Sequence, residues 1–210
     1  MLLIRTHALL DLQAIETTWP QALAELPSPP WLDALTQVDA STPFPTPDED
    51  HVRRVRDLLR YGGFKPAGRS KPCNEYIRKV AEKGQFPRIN PAVDLTNAAA
   101  LHGALPVSTV DLDKLQDPLS VGIAEPGASY VFNLSGQRIE LSGLVCLFDA
   151  EGPAANAVKD SQRAKTTPES TRTLTLIWGT TAVPGRARAL REWMVARIAE
   201  LGGSVKILAG

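Results

Sequence analysis

One stretch of the chain decides the fold, and it reads Phe86-Pro87-Arg88-Ile89-Asn90-Pro91-Ala92-Val93-Asp94-Leu95-Thr96-Asn97. Asn90 followed by Pro91 predicts a helix start, because an asparagine side chain caps free backbone amides and proline has no N–H to leave unpaired. The apolar spacing continues to Leu101, and Gly103 stands where a left-handed C-terminal cap is expected. We therefore expect a helix over residues 90–103.

The inward face of this predicted helix carries polar groups among small apolar residues. Val93, Ala100 and Leu101 share that face with Thr96 or Asn97 at three-to-four spacing. Polar groups on such a face either close a local hydrogen bond or point into a cavity. The residues alone favour the structural role, since most buried polar side chains simply satisfy a nearby group.

The composition is that of an ordinary globular domain. The chain has 210 residues, of which 43 % are hydrophobic and 22 % are charged, so it can bury a substantial core. No apolar run approaches the roughly 18 residues of a membrane span, and the N-terminus lacks the apolar region of a signal peptide. We therefore expect a cytoplasmic protein with no membrane partner.

Cysteine and histidine placement gives no metal signature. Cys73 and Cys146 lie far apart, form no Cys-x-x-Cys pair and have no histidine at ligand spacing. Structural thiols are predicted, with no metal and no cofactor. The three histidines stand in unrelated contexts, and no Ser-His-Asp arrangement can be argued from their spacing.

Hydrophobic periodicity and turn residues predict the remaining elements. Short strands are expected at residues 1–6, 119–125, 129–134, 137–141, 144–148, 174–178 and 204–209. Helices are expected at 48–62, 74–83 and 187–201, with one or two helical pieces at 8–24 and a loop of small residues at 151–158. In the helix at 74–83, Tyr76, Ile77 and Val80 should face inward.

These elements predict one α/β (α+β) domain with a mixed or antiparallel sheet and flanking helices. Residues 1–50 would supply a strand, a helix and a proline-rich segment that wraps the surface, with Trp31 and Phe44 as anchors. Residues 51–210 would form the rest of one compact unit.

Positive charge is concentrated between His51 and Asn90, although the formal net charge of the chain is zero. The cations there are Arg53, Arg54, Arg56, Arg60, Lys65, Arg69, Lys71, Arg78, Lys79, Lys83 and Arg88, and the acids are Asp57, Glu75 and Glu82. Clustered cations attract phosphates, because each neutralised phosphate releases counterions. Two solvated helix faces would give the same pattern, so both interpretations stay open.

Several segments in fixed order resemble a known family. They are Arg88–Asn97, Leu105-Pro106, Asp111–Leu115, Asp160-Ser161, Thr166-Thr167 and Thr171. Together they resemble the B3/B4 domain of the phenylalanyl-tRNA synthetase β subunit, in its free-standing bacterial form. The resemblance extends back over Phe64-Lys65-Pro66 and covers roughly Val52 to Trp178.

The resemblance implies a function as well as a fold. In the synthetase family this α/β module has a pocket that hydrolyses tyrosine wrongly joined to the phenylalanine tRNA. It implies a substrate pocket here, lined by Thr96, Asn97, Ser108, Thr109, Asp160 and Ser161. An aminoacyl ester is already activated, so positioning a water and polarising the carbonyl could suffice for hydrolysis.

Two positions depart from the synthetase pattern. Bacterial synthetases carry histidine where this chain has Ser108 and glutamate where it has Leu176. Both differences remove groups that could bind the amino acid or hold a water, so they leave the implied tyrosine specificity open, and hydrolysis itself as well. Nothing resembles the adenylate-forming motifs, and we do not expect this protein to charge tRNA.

The leading hypothesis is a free-standing hydrolase that deacylates mischarged tRNA in trans. Its phosphate contacts would be Arg53, Arg54, Arg60, Lys65, Arg69 and Lys71. Asp160-Ser161 could be a catalytic pair, but Asp followed by Ser is also an ordinary turn or helix cap, and no catalytic residue is assigned. The alternatives are a non-catalytic module that binds tRNA or an amino-acid derivative, and a protein-interaction domain.

Overall fold

The structure is a computed structural model that describes residues 2–210. The strands are β1 (Leu2–Ile4), β2 (Leu10–Thr18), β3 (Val107–Asp111), β4 (Leu119–Ile123), β5 (Ser129–Val131), β6 (Arg138–Glu140), β7 (Val145–Asp149), β8 (Gly152–Asn156), β9 (Arg172–Thr180) and β10 (Ser204–Ala209). The helices are α1 (Pro30–Ala34), α2 (Glu49–Arg60), α3 (Cys73–Ala81), α4 (Pro91–Gly103) and α5 (Arg186–Glu200). Met1, the first residue of the strand predicted at 1–6, lies outside the described residues.

Two four-stranded sheets carry the fold. Sheet A has the order β1-β4-β7-β8, in which only the β1–β4 pair is parallel. Sheet B has the order β10-β2-β9-β3 and is antiparallel throughout. A separate hairpin joins β5 and β6. The predicted α+β class with mixed and antiparallel sheets is therefore confirmed.

Sheet B is buried on both faces, which gives the molecule three layers. Leu12 and Trp178 face sheet A and join the core between the two sheets. Ile15 and Ile177 face the opposite way, against α4 and α5. On β3 and β9, even-numbered residues therefore point between the two sheets, and odd-numbered residues point toward the helices.

Helix α4 begins and packs as the sequence predicts, but it ends differently. The Asn90 side chain accepts a hydrogen bond from the Val93 N–H at 3.0 Å, and Pro91 opens the helix. Ala104, at φ 54°, takes the left-handed position that was predicted for Gly103. Gly103 is instead the last helical residue, and glycine suits this position because an added Cβ would lie 2.4 Å from Leu190 Cδ2 on α5.

The helical pieces predicted at residues 8–24 are wrong, since this segment contains strand β2. β2 pairs with β9 along its whole length and with β10 on its other side. Ala14 faces one core and Ile15 the other. A strand buried on both faces loses the apolar and polar alternation that distinguishes it from a helix.

The loop predicted at 151–158 and the inward position of Tyr76 are also wrong. Residues 152–156 form β8, whose small residues Ala154 and Ala155 are fully buried but lack the β-branched signal of a strand. Tyr76 is 61 % exposed, while Ile77 is buried against α4. The anchors Trp31 and Phe44 pack as predicted, on the layer of α4 and α5.

Within residues 2–210, no helix has the length and apolarity needed to cross a bilayer.

Candidate functional site

Thr96 and Thr109 belong to a buried chain of hydroxyl groups between α4 and sheet B. Thr96 Oγ1 donates to the Ala92 carbonyl oxygen at 3.0 Å and lies 2.6 Å from Thr109 Oγ1. Thr109 Oγ1 is in turn 2.8 Å from Thr175 Oγ1. Because each hydroxyl has one hydrogen, Thr109 donates to Thr96 and Thr175 donates to Thr109. These three hydroxyl groups thus find their hydrogen-bond partners within the protein, and they tie α4 to sheet B.

Asn97, the other half of the Thr-Asn pair, is in a different position. Its side chain is half-buried on α4, which packs beside α3. Within residues 2–210, no protein group forms a hydrogen bond with the Asn97 amide. The amide is therefore free to bind a ligand, which the hydroxyl of Thr96 is not.

Ser108 lies on the opposite face of sheet B from Thr109. Its Oγ accepts a hydrogen bond from Trp178 Nε1 at 3.0 Å and donates to the Asn156 carbonyl oxygen at 3.0 Å. Ser108 thus joins β3, β9 and β8 in the space between the sheets. The implied pocket residues Thr96, Thr109 and Ser108 are consequently divided between two layers.

Asn156, at the end of β8, organises the turn that follows it. Its Oδ1 accepts hydrogen bonds from Val158 N–H at 2.7 Å and Lys159 N–H at 3.0 Å. Its amide nitrogen donates to the hydroxyl of Tyr130, which donates to the Lys159 carbonyl oxygen at 2.5 Å. This network fixes the turn that carries Asp160.

Asp160 is the one carboxylate in this polar cluster. It is half-buried, and its Oδ1 accepts a hydrogen bond from the Asn156 N–H at 3.3 Å. Burial raises the pKa of Asp160 to about 6, against the opposing effects of the Ser108 hydroxyl, the Asn156 N–H and the charge of Lys165. The carboxylate is therefore charged at pH 7 but costly to hold in that form. Its neighbour Ser161 is buried, and Ser161 Oγ has no hydrogen-bond partner within residues 2–210.

Cys73 borders the same cluster at the start of α3. Its N–H donates to the Ala157 carbonyl oxygen at 2.9 Å, and its Sγ lies 3.6 Å from the Val107 carbonyl oxygen. Burial raises the pKa of Cys73 to about 12, and the charge of Asp160 adds to the effect. Only a thiolate is an effective nucleophile, so Cys73 is not a candidate for one at neutral pH.

The cations of α2 are neutralised within the protein. Arg53 and Arg54 both pair with Asp50, and Arg60 Nη1 lies 2.7 Å from an oxygen of Asp57. Arg56 also donates two hydrogen bonds to the Glu75 carboxylate, at 2.7 and 2.6 Å. Three of the six predicted phosphate contacts therefore already have acidic partners.

The other three predicted contacts lie on the loop between α2 and α3. Lys65, Arg69 and Lys71 are exposed and form no ion pair within residues 2–210. We call residues 65–71 the basic loop. Its C-terminal end is held against the turn after β8 by the Cys73 N–H bond to Ala157, which brings it close to the polar cluster.

Sequence reasoning missed two lysines beside this loop. Lys159 Nζ lies 4.1 Å from the centre of the Phe132 ring, and Lys165 Nζ donates to the Phe132 carbonyl oxygen at 2.6 Å. Burial lowers the pKa of Lys159, and the charges of Arg69 and Lys165 lower it further. Lys159 thus adds positive charge on the turn, and Arg69 of the basic loop is one of the two cations whose charge acts on it.

Two shallow grooves lie elsewhere on the molecule. One, of about 390 Å³, runs along α2 and includes Arg53, Arg56 and Arg60, and the other, of about 350 Å³, lies where β1 and β10 approach. Neither is lined by a predicted substrate-binding residue. Within the described range, no group of three or more His, Cys, Asp or Glu side chains could hold a metal ion.

The residues of this polar cluster lie within the range matched by a known protein family. A family model described as "B3/4 domain" matches residues 67–198. The chain belongs to the B3/4 domain family. The matched range includes α3, α4, the whole of sheet A except β1, and the Asp160 cluster.

Other comparisons of this B3/4 protein are more distant. No curated protein matches the chain. One solved structure that is similar to it is an N-terminal fragment of the phenylalanyl-tRNA synthetase β subunit from Pyrococcus horikoshii, at 13 % identity and a TM-score of 0.48. The alignment covers 97 % of this chain and 50 % of that chain, so the B3/4 protein spans about half the length of the fragment.

The two departures from the synthetase pattern are neighbours in the B3/4 fold. Ser108 and Leu176 are directly opposite each other on β3 and β9, and both side chains point between the sheets. Leu176 is fully buried in the apolar core. A charged group at that position would need a partner, which the surrounding apolar side chains do not supply.

The sequence identified part of this cluster in the B3/4 protein and missed its organiser. Ser108, Asp160 and Ser161 were predicted, whereas Asn156 and Tyr130 were not. Asn156 precedes small residues and accepts bonds from the two following amides, which is the Asx-turn pattern that asparagine favours. That signal was present in the sequence, but the contact with Tyr130 exists only in the folded chain.

Proposed function

We propose that this B3/4 protein binds aminoacyl-tRNA and hydrolyses the aminoacyl ester in trans. The observation that carries the proposal is the position of Asp160, a half-buried acidic residue near Ser108, on the turn that also carries Lys159 and that is bonded to the start of α3 next to the basic loop. The sequence resemblance to the synthetase editing domain supplies the substrate class. The proposal combines a group suited to proton transfer with a surface suited to phosphate.

Hydrolysis of an aminoacyl ester requires few functional groups from the protein. An aminoacyl ester needs a positioned water and stabilisation of the charge that develops on its carbonyl oxygen. The Asn97 amide forms no protein hydrogen bond within residues 2–210, and the Asp160 carboxylate, which accepts from the Asn156 N–H and lies near the Ser108 hydroxyl, keeps free lone pairs, so each can contact a ligand. The satisfied hydroxyls of Thr96 and Thr109 would then hold α4 in place without touching substrate.

The basic loop is the better candidate for phosphate contacts than α2. An arginine that already has an acidic partner gains less from a phosphate, because it must give up that partner or share it. Lys65, Arg69 and Lys71 have no such competitor within residues 2–210. The loop and the adjacent lysines of the turn would meet the RNA backbone near the reacting end.

The decisive experiment measures release of amino acid from a panel of correctly and incorrectly charged tRNAs. Selective release by the protein, lost in Asn97→Ala, would support trans-editing and identify the substrate. A protein that binds charged tRNA but releases no amino acid from any member of the panel would overturn the hydrolase proposal.

Charge reversal separates the two cationic surfaces. The variant with Lys65, Arg69 and Lys71 changed to glutamate should bind tRNA at least tenfold more weakly at 100 mM salt and show a smaller salt slope. The matched variant with Arg53, Arg54 and Arg60 changed to glutamate should have a smaller effect on both. Equal losses in the two variants would show that α2 contributes as much as the basic loop.

The second candidate is a non-catalytic module that binds tRNA or an amino-acid derivative. The saturation of Thr96, Thr109 and Ser108 by internal hydrogen bonds favours it, since three implied pocket hydroxyls are already in use. Such a module would be stabilised by its ligand against heat and would show no turnover. The amino-acid release assay distinguishes it directly from the hydrolase.

A further inference from the structure

We propose that Asp160 is the general base that activates the attacking water, an inference that rests on the proposed hydrolysis. The carboxylate lies on the turn after β8, near the Ser108 hydroxyl and the start of α3 at Cys73. Ser161, the next residue, has a buried Oγ without a hydrogen-bond partner within residues 2–210, which a bound water could satisfy. No side-chain nucleophile is needed.

Hydrogen bonding leaves Asp160 free to accept a proton. Oδ1 receives the Asn156 N–H at 3.3 Å, and the Ser108 hydroxyl is the other neutral group that acts on the carboxylate. The Ser108 hydroxyl has a single hydrogen, which it donates to the Asn156 carbonyl oxygen at 3.0 Å. An ionised carboxylate has about four lone-pair positions, so Asp160 can still accept a hydrogen bond from a water.

Three ionisable neighbours of Asp160 stay uncharged through the neutral pH range. Burial holds the pKa of Cys73 near 12 and raises the pKa values of Tyr130 and Cys146 above their ordinary values, so all three stay neutral. Lys165 is the cation that acts on the carboxylate. Asp160, with a pKa of about 6, is the group in this set that changes charge between pH 5 and pH 8.

The proposed step balances without a cofactor. Asp160 takes a proton from water as the water oxygen forms a bond to the ester carbonyl carbon. The resulting oxyanion re-forms the carbonyl, the bond from that carbon to the ribose oxygen breaks, and the proton passes from Asp160 to the ribose oxygen. The products are the free amino acid and a tRNA with a free terminal hydroxyl, and Asp160 returns to its charged form.

The test is the pH dependence of deacylation for the whole chain and for Asp160→Asn. With the uncatalysed rate subtracted, the wild-type kcat/KM should rise with an apparent pKa near 6 and level off above it. Asp160→Asn should be about 100-fold slower at pH 7.5 and should lack that limb. The substrate amino group titrates identically for both proteins, so it cannot produce the difference.

Two controls distinguish a loss of deacylation activity in Asp160→Asn from a loss of its folded structure. Asp39→Asn, on the exposed segment after α1, should retain the wild-type rate and profile. The melting temperature of Asp160→Asn at pH 7.5 should not fall below that of the wild type, because a neutral side chain avoids the cost of a half-buried charge. If this variant melts early, Asp160→Glu provides the comparison, since it keeps a base and should keep the acidic limb.

The outcomes separate the two proposals. A wild-type protein that deacylates no tRNA overturns the proposed function before any variant is measured. A wild-type protein that is active, with an Asp160→Asn variant whose rate and pH profile are unchanged, overturns the role of Asp160 and leaves the hydrolase intact.

Discussion

Thr96 and Asn97 are consecutive in sequence but have different physical roles. Thr96 is nearly inaccessible, and its hydroxyl both donates to the Ala92 carbonyl oxygen and accepts from Thr109. Asn97 is half-buried and has no protein hydrogen bond within residues 2–210. The first side chain stabilises the fold, whereas the second is available to a ligand.

The two residues should therefore differ in their effect on stability. Thr96→Val removes an acceptor from a buried donor and should lower the free energy of unfolding by about 2 kcal/mol. Asn97→Ala should change it by less than about 0.5 kcal/mol, as is usual away from buried networks. Urea unfolding monitored by circular dichroism measures both, and equal losses would contradict the assignment.

At the scale of elements, an ion pair fixes the turn between β8 and β9. Arg163 donates to both oxygens of Asp149 at 2.7 and 2.6 Å, and the Asp149 side chain is fully buried at the end of β7. Burial raises the pKa of Asp149, but hydrogen bonds from Arg163 and from two backbone amides lower it below its ordinary value overall. The pair thus positions the turn that presents Asp160.

Loss of Arg163 should be costly because it leaves Asp149 buried without a counter-charge. Arg163→Ala should lower the free energy of unfolding at pH 7 by about 3 kcal/mol or more. The matched control Arg188→Ala removes a side chain that is 72 % exposed and should cost less than about 0.5 kcal/mol.

The loss in free energy of unfolding of Arg163→Ala, here called the deficit, should depend on pH, which gives an independent check of the ion pair. In the wild type the lowered pKa of Asp149 contributes stability that is present above pH 4 and is lost as pH falls through the folded pKa. The variant lacks that contribution, so its deficit should stay constant from pH 7 to about pH 4 and should shrink as the pH falls below about 4. A deficit that stays constant below about pH 4 as well would show that Arg163 acts through packing alone.

At the scale of the whole molecule, the N-terminal segment completes the core. β2 lies between β10 and β9 and contributes Leu12 to the core between the sheets and Ile15 to the core under the helices. Residues 1–50 and 51–210 are therefore joined by a sheet, as the prediction of one compact unit requires.

A fragment of residues 51–210 should consequently fail to fold cooperatively. Without β2, the strands β9 and β10 lose their shared partner and both cores open to water. Thermal unfolding followed by circular dichroism should show one sharp transition for the whole chain and none for the fragment. Removal of residues 1–8 alone, which deletes only the edge strand β1, should preserve the transition.

Errors in the sequence prediction have a common physical cause. Helix α2 was predicted from the sequence because one of its faces is buried and the other is exposed to solvent. This arrangement produces the helical spacing of Val52, Val55, Leu58 and Leu59. β2 and β8 are buried on both faces or built of small residues, so neither shows a strand period. The same limit applies to the candidate site, where the organising role of Asn156 depends on Tyr130, a residue 26 positions away.

The sequence by itself determined the start of α4 at Asn90, the α+β class and the resemblance to the B3/4 family, because caps, periodicity and ordered motifs are local properties. Only the tertiary structure decided which polar residues share a site. Strand parity sends Ser108 and Thr109 to opposite faces of sheet B, and ion pairs neutralise α2 while leaving the basic loop free. These outcomes depend on which distant segments become neighbours, and that is settled by packing rather than by any single stretch of chain.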